Sequence, residues 1–219
     1  ELGLSLRPGE YQVQSNQHLH YHATHLPEST RSTGPRQTTQ RTVFLLGCSF
    51  TYGMGLSDSL TFPYLLQQQL PDWQIVNFGV PAYGTLQSYL QLRRQLARGW
   101  QPDLVVLNYA SLHDSRNKLS PSQQKYWRAA LRGLGRFPRL SRVPEGDHLD
   151  IEYLRVEDMK KTWAWSHHSA LLCLLEQVSD HIIDGFEDKH LISQKIILKI
   201  SNLCRANHIP FVVTGISDD

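Results

Sequence analysis

Thr42-Val-Phe-Leu-Leu-Gly-Cys-Ser-Phe-Thr-Tyr-Gly53 is the stretch that decides the fold of this 219-residue chain. It opens with a continuous apolar run that ends at Gly47, a pattern typical of a strand buried on both faces of a sheet. Ser49 follows in a tight turn at the carboxyl edge of that sheet, where its hydroxyl can point into a cleft. Gly47 lets the chain turn sharply, and backbone N–H groups around Ser49 can stabilise a developing oxyanion.

Other sites built on glycine-rich turns do not fit this stretch. A P-loop needs Gly-Lys-Ser/Thr, and no lysine is present here. The dinucleotide-binding spacing is absent, and the G-x-S-x-G elbow lacks its second Gly because Thr51 occupies that position. Taken alone, the turn is also consistent with a strand end that a small Ser caps.

Outward from this stretch, apolar runs alternate with helical patterns. Further strands are predicted at 73–78, 103–109 and 210–215, and helices at 62–70, 85–99, 169–183 and 191–207. This alternation indicates a parallel, doubly wound sheet. In such sheets ligands bind beyond the carboxyl ends of the strands. Ser49, Gly79 and His113 each follow a predicted strand end, so we expect them to converge.

Two segments interrupt the alternation. Residues 1–40 are rich in Gln, Thr, Ser and His, and we interpret them as an N-terminal extension or weak strand pair, with 30–40 as a linker. Residues 115–165 are interpreted as a long irregular insertion with one helix at about 122–134. The main domain would then be 41–219.

Three blocks along the chain resemble those of the SGNH/GDSL serine hydrolase family. Gly47–Gly53 resembles G-D-S-x-T-x-G, Asn77–Gly84 resembles N-x-G-x-x-G, and the strand at 103–109 leading to His113-Asp114 resembles the block with G-x-N-D. The blocks occur in the family's order and cover about residues 42–116. The resemblance implies a three-layer α/β/α sandwich with a parallel sheet, of the flavodoxin-like kind.

The resemblance also implies roles for single residues. Ser49 would attack an ester carbonyl and form an acyl-enzyme that water then hydrolyses. The N–H groups of Ser49 and Gly79 would bind the oxyanion. His113 stands where the family has Asn, and its imidazole N–H can donate as a carboxamide does. A loop-bracing role for His113, against Asp114 or Arg116, stays open.

Tyr83 and Arg116 are further candidates for the substrate-binding part of the site. Tyr83 lies in the second block and could shape the cleft. Arg116 lies just past the third predicted strand and could contact an anionic or polar substrate group, although a surface salt bridge explains it equally well.

The chain departs from the family pattern in several places. Cys48 replaces the Asp of the first block, the last Gly of the second block is displaced to Gly84, and the third block has one extra residue. The family's D-x-x-H block, which supplies the general base, has no match, and we expect it beyond residue 219. Because an unactivated Ser hydroxyl is a weak nucleophile, residues 1–219 should retain little activity.

Composition excludes several function classes. The formal net charge is +2 without a long run of one sign, so no nucleic-acid partner is implied. No apolar stretch approaches the roughly 18–20 residues that span a bilayer. Cys48, Cys173 and Cys204 form no C-x-x-C pair, which mildly favours a reducing, cytoplasmic compartment. His18, His20 and His22 would share one strand face, yet a solvated polar strand explains them better than a metal site.

The sequence therefore predicts a serine esterase that acts on a small-molecule ester or acylated carbohydrate, without metal or organic cofactor. One alternative keeps the fold but transfers the acyl group to a carbohydrate hydroxyl. The other is a catalytically silent binding module, which the altered third block and the missing D-x-x-H favour.

Overall fold

The computed structural model of the chain describes residues 2–15, 19–35, 41–131, 135–146, 148–185 and 188–216. Its strands are β1 (Gly9–Ser15), β2 (Leu19–His25), β3 (Arg41–Leu46), β4 (Trp73–Asn77), β5 (Leu104–Ala110), β6 (Arg136–Arg139), β7 (Glu152–Arg155) and β8 (Phe211–Ile216). Its helices are α1 (Ser49–Tyr52), α2 (Phe62–Gln69), α3 (Thr85–Ala97), α4 (Leu112–Lys118), α5 (Pro121–Leu131), α6 (Ala170–Gly185) and α7 (Lys189–Ala206). None of the described helices is long and apolar enough to cross a membrane.

The central sheet is parallel, with strand order β4-β3-β5-β8. Leu46 at the end of β3 pairs with Leu107 in β5, and β5 continues beyond the end of β3 to Ala110. The predicted α/β class with a parallel sheet is confirmed, and each predicted strand of this sheet is present to within a residue or two.

Helices cover both faces of the sheet. Phe44 and Leu46 point to one face and pack into a core that includes Leu86 of α3 and Ile192 of α7. Val43 and Leu45 point to the other face, where they share a smaller cluster that α2 covers. This division follows from the alternation of side chains along a strand, and it explains why β3 is apolar throughout.

Residues 19–35 are integrated into the fold. The predicted strand pair is confirmed as the antiparallel hairpin β1–β2. The interpretation of 30–40 as a linker is wrong for its described part, because Thr30, Arg31 and Thr33 are buried. The Arg31 N–H donates to Asn77 O at 3.0 Å, and the Thr33 hydroxyl donates to Ile75 O at 2.7 Å. The segment therefore covers the outer edge of β4, while 36–40 lie outside the described residues.

The region interpreted as an irregular insertion is more regular than expected. Its predicted helix corresponds to α5, preceded by α4, which the sequence did not indicate. The hairpin β6–β7 was also missed, and it carries Phe137 into a cluster with Trp127 and Met159. Pro138 argued against a strand here, because proline is tolerated only in edge strands of a sheet. Both strands of a two-stranded sheet are edge strands, so Pro138 fits this hairpin.

Candidate active site

Ser49 is the first residue of α1, two residues past Gly47, and its side chain is partly exposed. The helix is a single turn in which the Tyr52 N–H donates to Cys48 O at 2.9 Å. It ends at Gly53, whose φ of 82° lies in the left-handed region that favours glycine. Ser49 is thus held in a short, well-defined turn at the carboxyl edge of β3, as the sequence predicted.

Gly47 is needed because the turn folds back on itself. A Cβ at this position would lie 2.1 Å from Thr51 Oγ1. That hydroxyl accepts a hydrogen bond from Asn108 Nδ2 at 3.1 Å, and Asn108 Oδ1 accepts one from Thr214 Oγ1 at 2.6 Å. Asn108 therefore ties the turn at Ser49 to β5 and β8. A polar residue inside an apolar strand was the sequence signal for this link.

The second block packs directly onto α1. A Cβ on Gly79 would lie 2.3 Å from Tyr52 N, so no side chain fits. Asn77 Nδ2 donates to Thr51 O at 3.0 Å, while Asn77 Oδ1 accepts from the Gly79 N–H at 2.9 Å. The Gly79 N–H is therefore occupied by Asn77 in this conformation. Its role as an oxyanion donor stays a prediction that requires this hydrogen bond to be exchanged.

His113 lies in the first turn of α4 with 0% of its surface exposed. Among the described residues, neither ring nitrogen has a hydrogen-bond partner, and the ring meets the edge of Tyr109. Burial, with a contribution from the charge of Arg116, lowers the pKa of His113 to about 3. The imidazole is therefore neutral. A contact between His113 and an oxyanion stays a prediction that needs α4 to move.

Both predicted substrate-binding side chains make hydrogen bonds within the chain. The buried Tyr83 donates its hydroxyl to Leu4 O at 2.6 Å, and burial raises the pKa of this phenol. Arg116 donates to Tyr83 O at 3.0 Å, so it braces the second block from α4. Contacts of either side chain with a substrate stay predictions.

Arg31 is a residue of this region that sequence reasoning missed. Its guanidinium is buried and donates to Asp58 Oδ1 at 2.7 Å. It also donates to the carbonyl oxygens of Tyr52, Gly53 and Leu56 at 2.9, 2.8 and 2.6 Å. The guanidinium thus organises the loop that follows the nucleophile turn. The available signal was Asp58, the only charged residue between Ser49 and Pro71.

The hairpin β1–β2 adds further contacts to this loop. The Thr24 N–H donates to Asp58 Oδ2 at 2.8 Å, and His25 Nε2 lies 2.8 Å from the Tyr52 hydroxyl. Burial lowers the pKa of His25 and raises that of Tyr52 to about 12, so both groups are neutral near pH 7. The contacts connect the N-terminal hairpin to the helix that begins with Ser49.

Ser49 has no hydrogen-bonded His or carboxylate within the described parts of the chain. The nearest arrangement to a base and its orienting acid is His190 at the start of α7, whose Nδ1 lies 3.3 Å from Asp114 Oδ2. Asp114 Oδ1 also accepts hydrogen bonds from Tyr109 at 2.6 Å and Ser193 at 2.5 Å. This cluster joins α4 to α7 and shows no hydrogen bond to Ser49.

The histidines of β2 do not form a recognisable metal centre. In the described residues, no group of three or more His, Cys, Asp or Glu side chains could hold a metal ion. His22 instead lies near carboxylates, with Nδ1 3.7 Å from Asp58 Oδ2 and Nε2 4.0 Å from Glu10 Oε2. His18 lies outside the described residues.

Comparison with known proteins gives limited information. No family model and no curated protein matches the chain. Among solved structures, AlinE4, a SGNH-hydrolase family esterase, is similar at 22% identity and a TM-score of 0.32. The match covers 46% of this chain and 54% of AlinE4, so it spans about half the length of that protein.

Two other structures match over longer stretches. A mutant of esterase AlinE4 is 16% identical over 82% of this chain and 77% of its own, with a TM-score of 0.33. TesA is 15% identical over 78% of this chain and 77% of its own, with a TM-score of 0.34. Similarity at these TM-scores supports no conclusion about activity.

Proposed function

We propose that this chain carries the nucleophile part of a serine esterase, with Ser49 as the nucleophile. One observation carries the proposal: Ser49 begins α1 beyond an inner strand of a parallel sheet, and Gly79 packs so closely on α1 that it admits no side chain. Ligands of such sheets bind at this edge. The close packing brings the backbone of two adjacent strand-end loops together, as an oxyanion site requires.

In the proposed reaction, Ser49 Oγ attacks the ester carbonyl while its proton passes to a general base. The alcohol leaves, and water hydrolyses the acyl-enzyme with the base acting again. The Ser49 N–H would hold the oxyanion together with the Gly79 N–H once the latter leaves Asn77 Oδ1. His113 would join these donors only after a shift of α4.

The substrate class is a carboxylic ester of a small molecule, including an acylated carbohydrate. Arg116 is the polar group proposed to lie at the entrance of the substrate-binding site. It is held by Tyr83 O, which fixes the guanidinium beside the second block. No metal or organic cofactor takes part in the proposed steps.

A catalytically silent binding module is the second candidate, and a specific observation favours it. Ser49 has no base within hydrogen-bond distance among the described residues, and Asn77 occupies the Gly79 N–H. A silent module would keep both features permanently, whereas an esterase must change both when the base and the substrate are present.

The hydrolysis of p-nitrophenyl butyrate distinguishes the two candidates. It should be measured on residues 1–219 and on the full reading frame that contains them. The esterase proposal expects hydrolysis by the full reading frame and a loss of at least about 10³-fold in Ser49→Ala. Ser122→Ala, at an exposed position in the first turn of α5, is the control and should be unaffected. Folded protein without Ser49-dependent hydrolysis would favour the binding module.

A further inference from the structure

Large apolar side chains follow Ser49 without being buried. Within the next sixteen residues, six of them are exposed: Phe50, Met54, Leu56, Leu60, Phe62 and Leu65. We call this set the apolar rim. Single exposed apolar residues need no explanation, but a contiguous group marks a binding surface.

Backbone contacts hold the segments that carry the rim close together, starting at Ser49. The Met54 N–H donates to Ser49 O at 2.9 Å, and the Leu56 N–H donates to Gly53 O at 3.1 Å. A Cβ at Gly53 would lie 2.4 Å from Thr61 Cγ2, so the backbone next to Met54 lies against Thr61. Leu60 and Phe62 are the chain neighbours of Thr61. The Leu65 N–H then donates to Thr61 O at 3.0 Å, which places the last member one turn along α2.

The rim is also free of exposed charge. Asp58 is the only charged residue from Ser49 to Leu70, in a chain that is 19% charged. Its carboxylate is turned inward, because the buried Arg31 donates to Oδ1 and the Thr24 N–H donates to Oδ2. Residues 49–70 therefore contribute exposed apolar side chains beside Ser49 without an unpaired charge, and the ligand that matches these side chains is an uncharged hydrocarbon.

We propose that the apolar rim binds the aliphatic acyl chain of the ester substrate, which makes this a site for esters of medium or long acyl chains. The inference rests on the proposed function, since it assigns the substrate of the same Ser49. The loop that Arg31 holds in place then has two tasks, because it supports the nucleophile turn and presents the apolar rim.

The test compares p-nitrophenyl decanoate with p-nitrophenyl butyrate on the full reading frame, below the micelle concentration of the longer ester. Burial of about two of the six additional methylene groups raises kcat/KM by about tenfold for decanoate. Met54→Ser combined with Leu60→Ser should remove most of this preference, because kcat/KM should fall by about tenfold for decanoate and by much less for butyrate.

A matched control is available on α6. Leu171 and Leu174 are 64% and 57% exposed, against 61% for Leu60 and 59% for Met54, and they lie on a helix distant in sequence from Ser49. Leu171→Ser combined with Leu174→Ser should keep the tenfold preference. Thermal unfolding of both double variants shows whether each is folded.

The outcomes separate the inference from the proposed function. Butyrate hydrolysis that depends on Ser49 but shows no preference for decanoate would overturn the inference alone. Absence of any hydrolysis dependent on Ser49 would contradict the proposed function, and the inference with it. Two further results would overturn the inference if the preference for decanoate is missing. One is sedimentation of the wild-type protein with phosphatidylcholine vesicles, and the other is a dimer that the rim variant abolishes. The rim would then bind a membrane or a second copy.

Discussion

The two outer strands of the sheet have opposite surroundings. On the β4 side, residues 31–33 cover the edge, and the buried Arg31 fastens them to the loop after Ser49. On the β8 side, the described residues provide no further strand, and Val212 and Val213 are exposed on opposite faces. A second exposed apolar region lies on α6, whose stripe consists of Leu171, Leu174, Leu175, Val178 and Ile182.

This contrast is the opposite of what the composition of the two segments predicts. The polar N-terminal segment is buried and fixed by hydrogen bonds, whereas the most apolar helix is exposed. Hydrogen bonds to carbonyl oxygens explain the first case, because a buried guanidinium is tolerated when its donors are satisfied. The difference shows that the region around the proposed nucleophile is held by directional contacts, and we expect its residues to be the sensitive ones.

Replacement of Arg31 should have the largest effect. Arg31→Met leaves Asp58 Oδ1 and four backbone carbonyls without the guanidinium donor, which should lower the free energy of unfolding by about 3–5 kcal/mol. Urea denaturation monitored by circular dichroism measures this value. Arg98→Met, at an exposed position after α3, should change it by no more than about 0.5 kcal/mol. Equal effects of the two substitutions would show that the β4 side is not specially held.

Gly79→Ala should have the next largest effect. The added Cβ would meet backbone atoms of Tyr52 and Thr51 at 2.3 and 2.7 Å, so α1 must shift. Overpacking of this kind should cost about 1–3 kcal/mol in the same denaturation assay. Gly185→Ala on α6 is the control, since a Cβ there meets nothing within 4 Å. A neutral Gly79→Ala would contradict the close approach of the second block to the nucleophile turn.

The pH dependence of the free energy of unfolding should reveal the lowered pKa of His113. Its pKa is about 3 in the folded chain, below the ordinary value of 6.5, so the unfolded state binds the proton more strongly. The contribution of neutral His113 to the free energy of unfolding is fully present above pH 6.5. It is lost as the pH falls from 6.5 to about 3, at up to about 1.4 kcal/mol per pH unit.

His113→Asn removes this group and should flatten that part of the profile, which denaturant titrations at pH 7, 6, 5 and 4.5 can follow. His168→Asn, an exposed histidine before α6, should leave the slope intact. If His113→Asn showed the same slope of unfolding free energy against pH as the wild type, His113 would not be its source. The His113 ring would then be accessible to protons in the folded chain.

Polar substitutions on the exposed stripe of α6 should have the smallest effect on stability. Leu174→Ser on the exposed stripe should change the free energy of unfolding by about 0.5 kcal/mol or less. Ile196→Ser on the buried face of α7 is the contrasting variant and should cost several times more. A large loss in Leu174→Ser, together with a concentration-dependent melting temperature, would mean that another chain covers the stripe.

The sequence was sufficient for the central sheet and insufficient for its surroundings. The apolar runs of β3 and β5 and the glycines at 47 and 79 predicted the strands and their tight turns, because steric limits at those glycines leave few alternatives. The burial of Arg31 could not be predicted, since its partners are mainly backbone carbonyl oxygens, which carry no residue-specific signal. The sealed position of His113 depends on how α4 packs, and the composition of residues 112–118 does not determine that.

The most direct test of the central claim is to locate the adduct that a fluorophosphonate probe forms with the protein. The full reading frame should be labelled once, and tandem mass spectrometry should place the adduct on Ser49, with no adduct in Ser49→Ala. An adduct on a different residue, or no adduct on protein that circular dichroism shows to be folded, would contradict the assignment of Ser49 as a nucleophile.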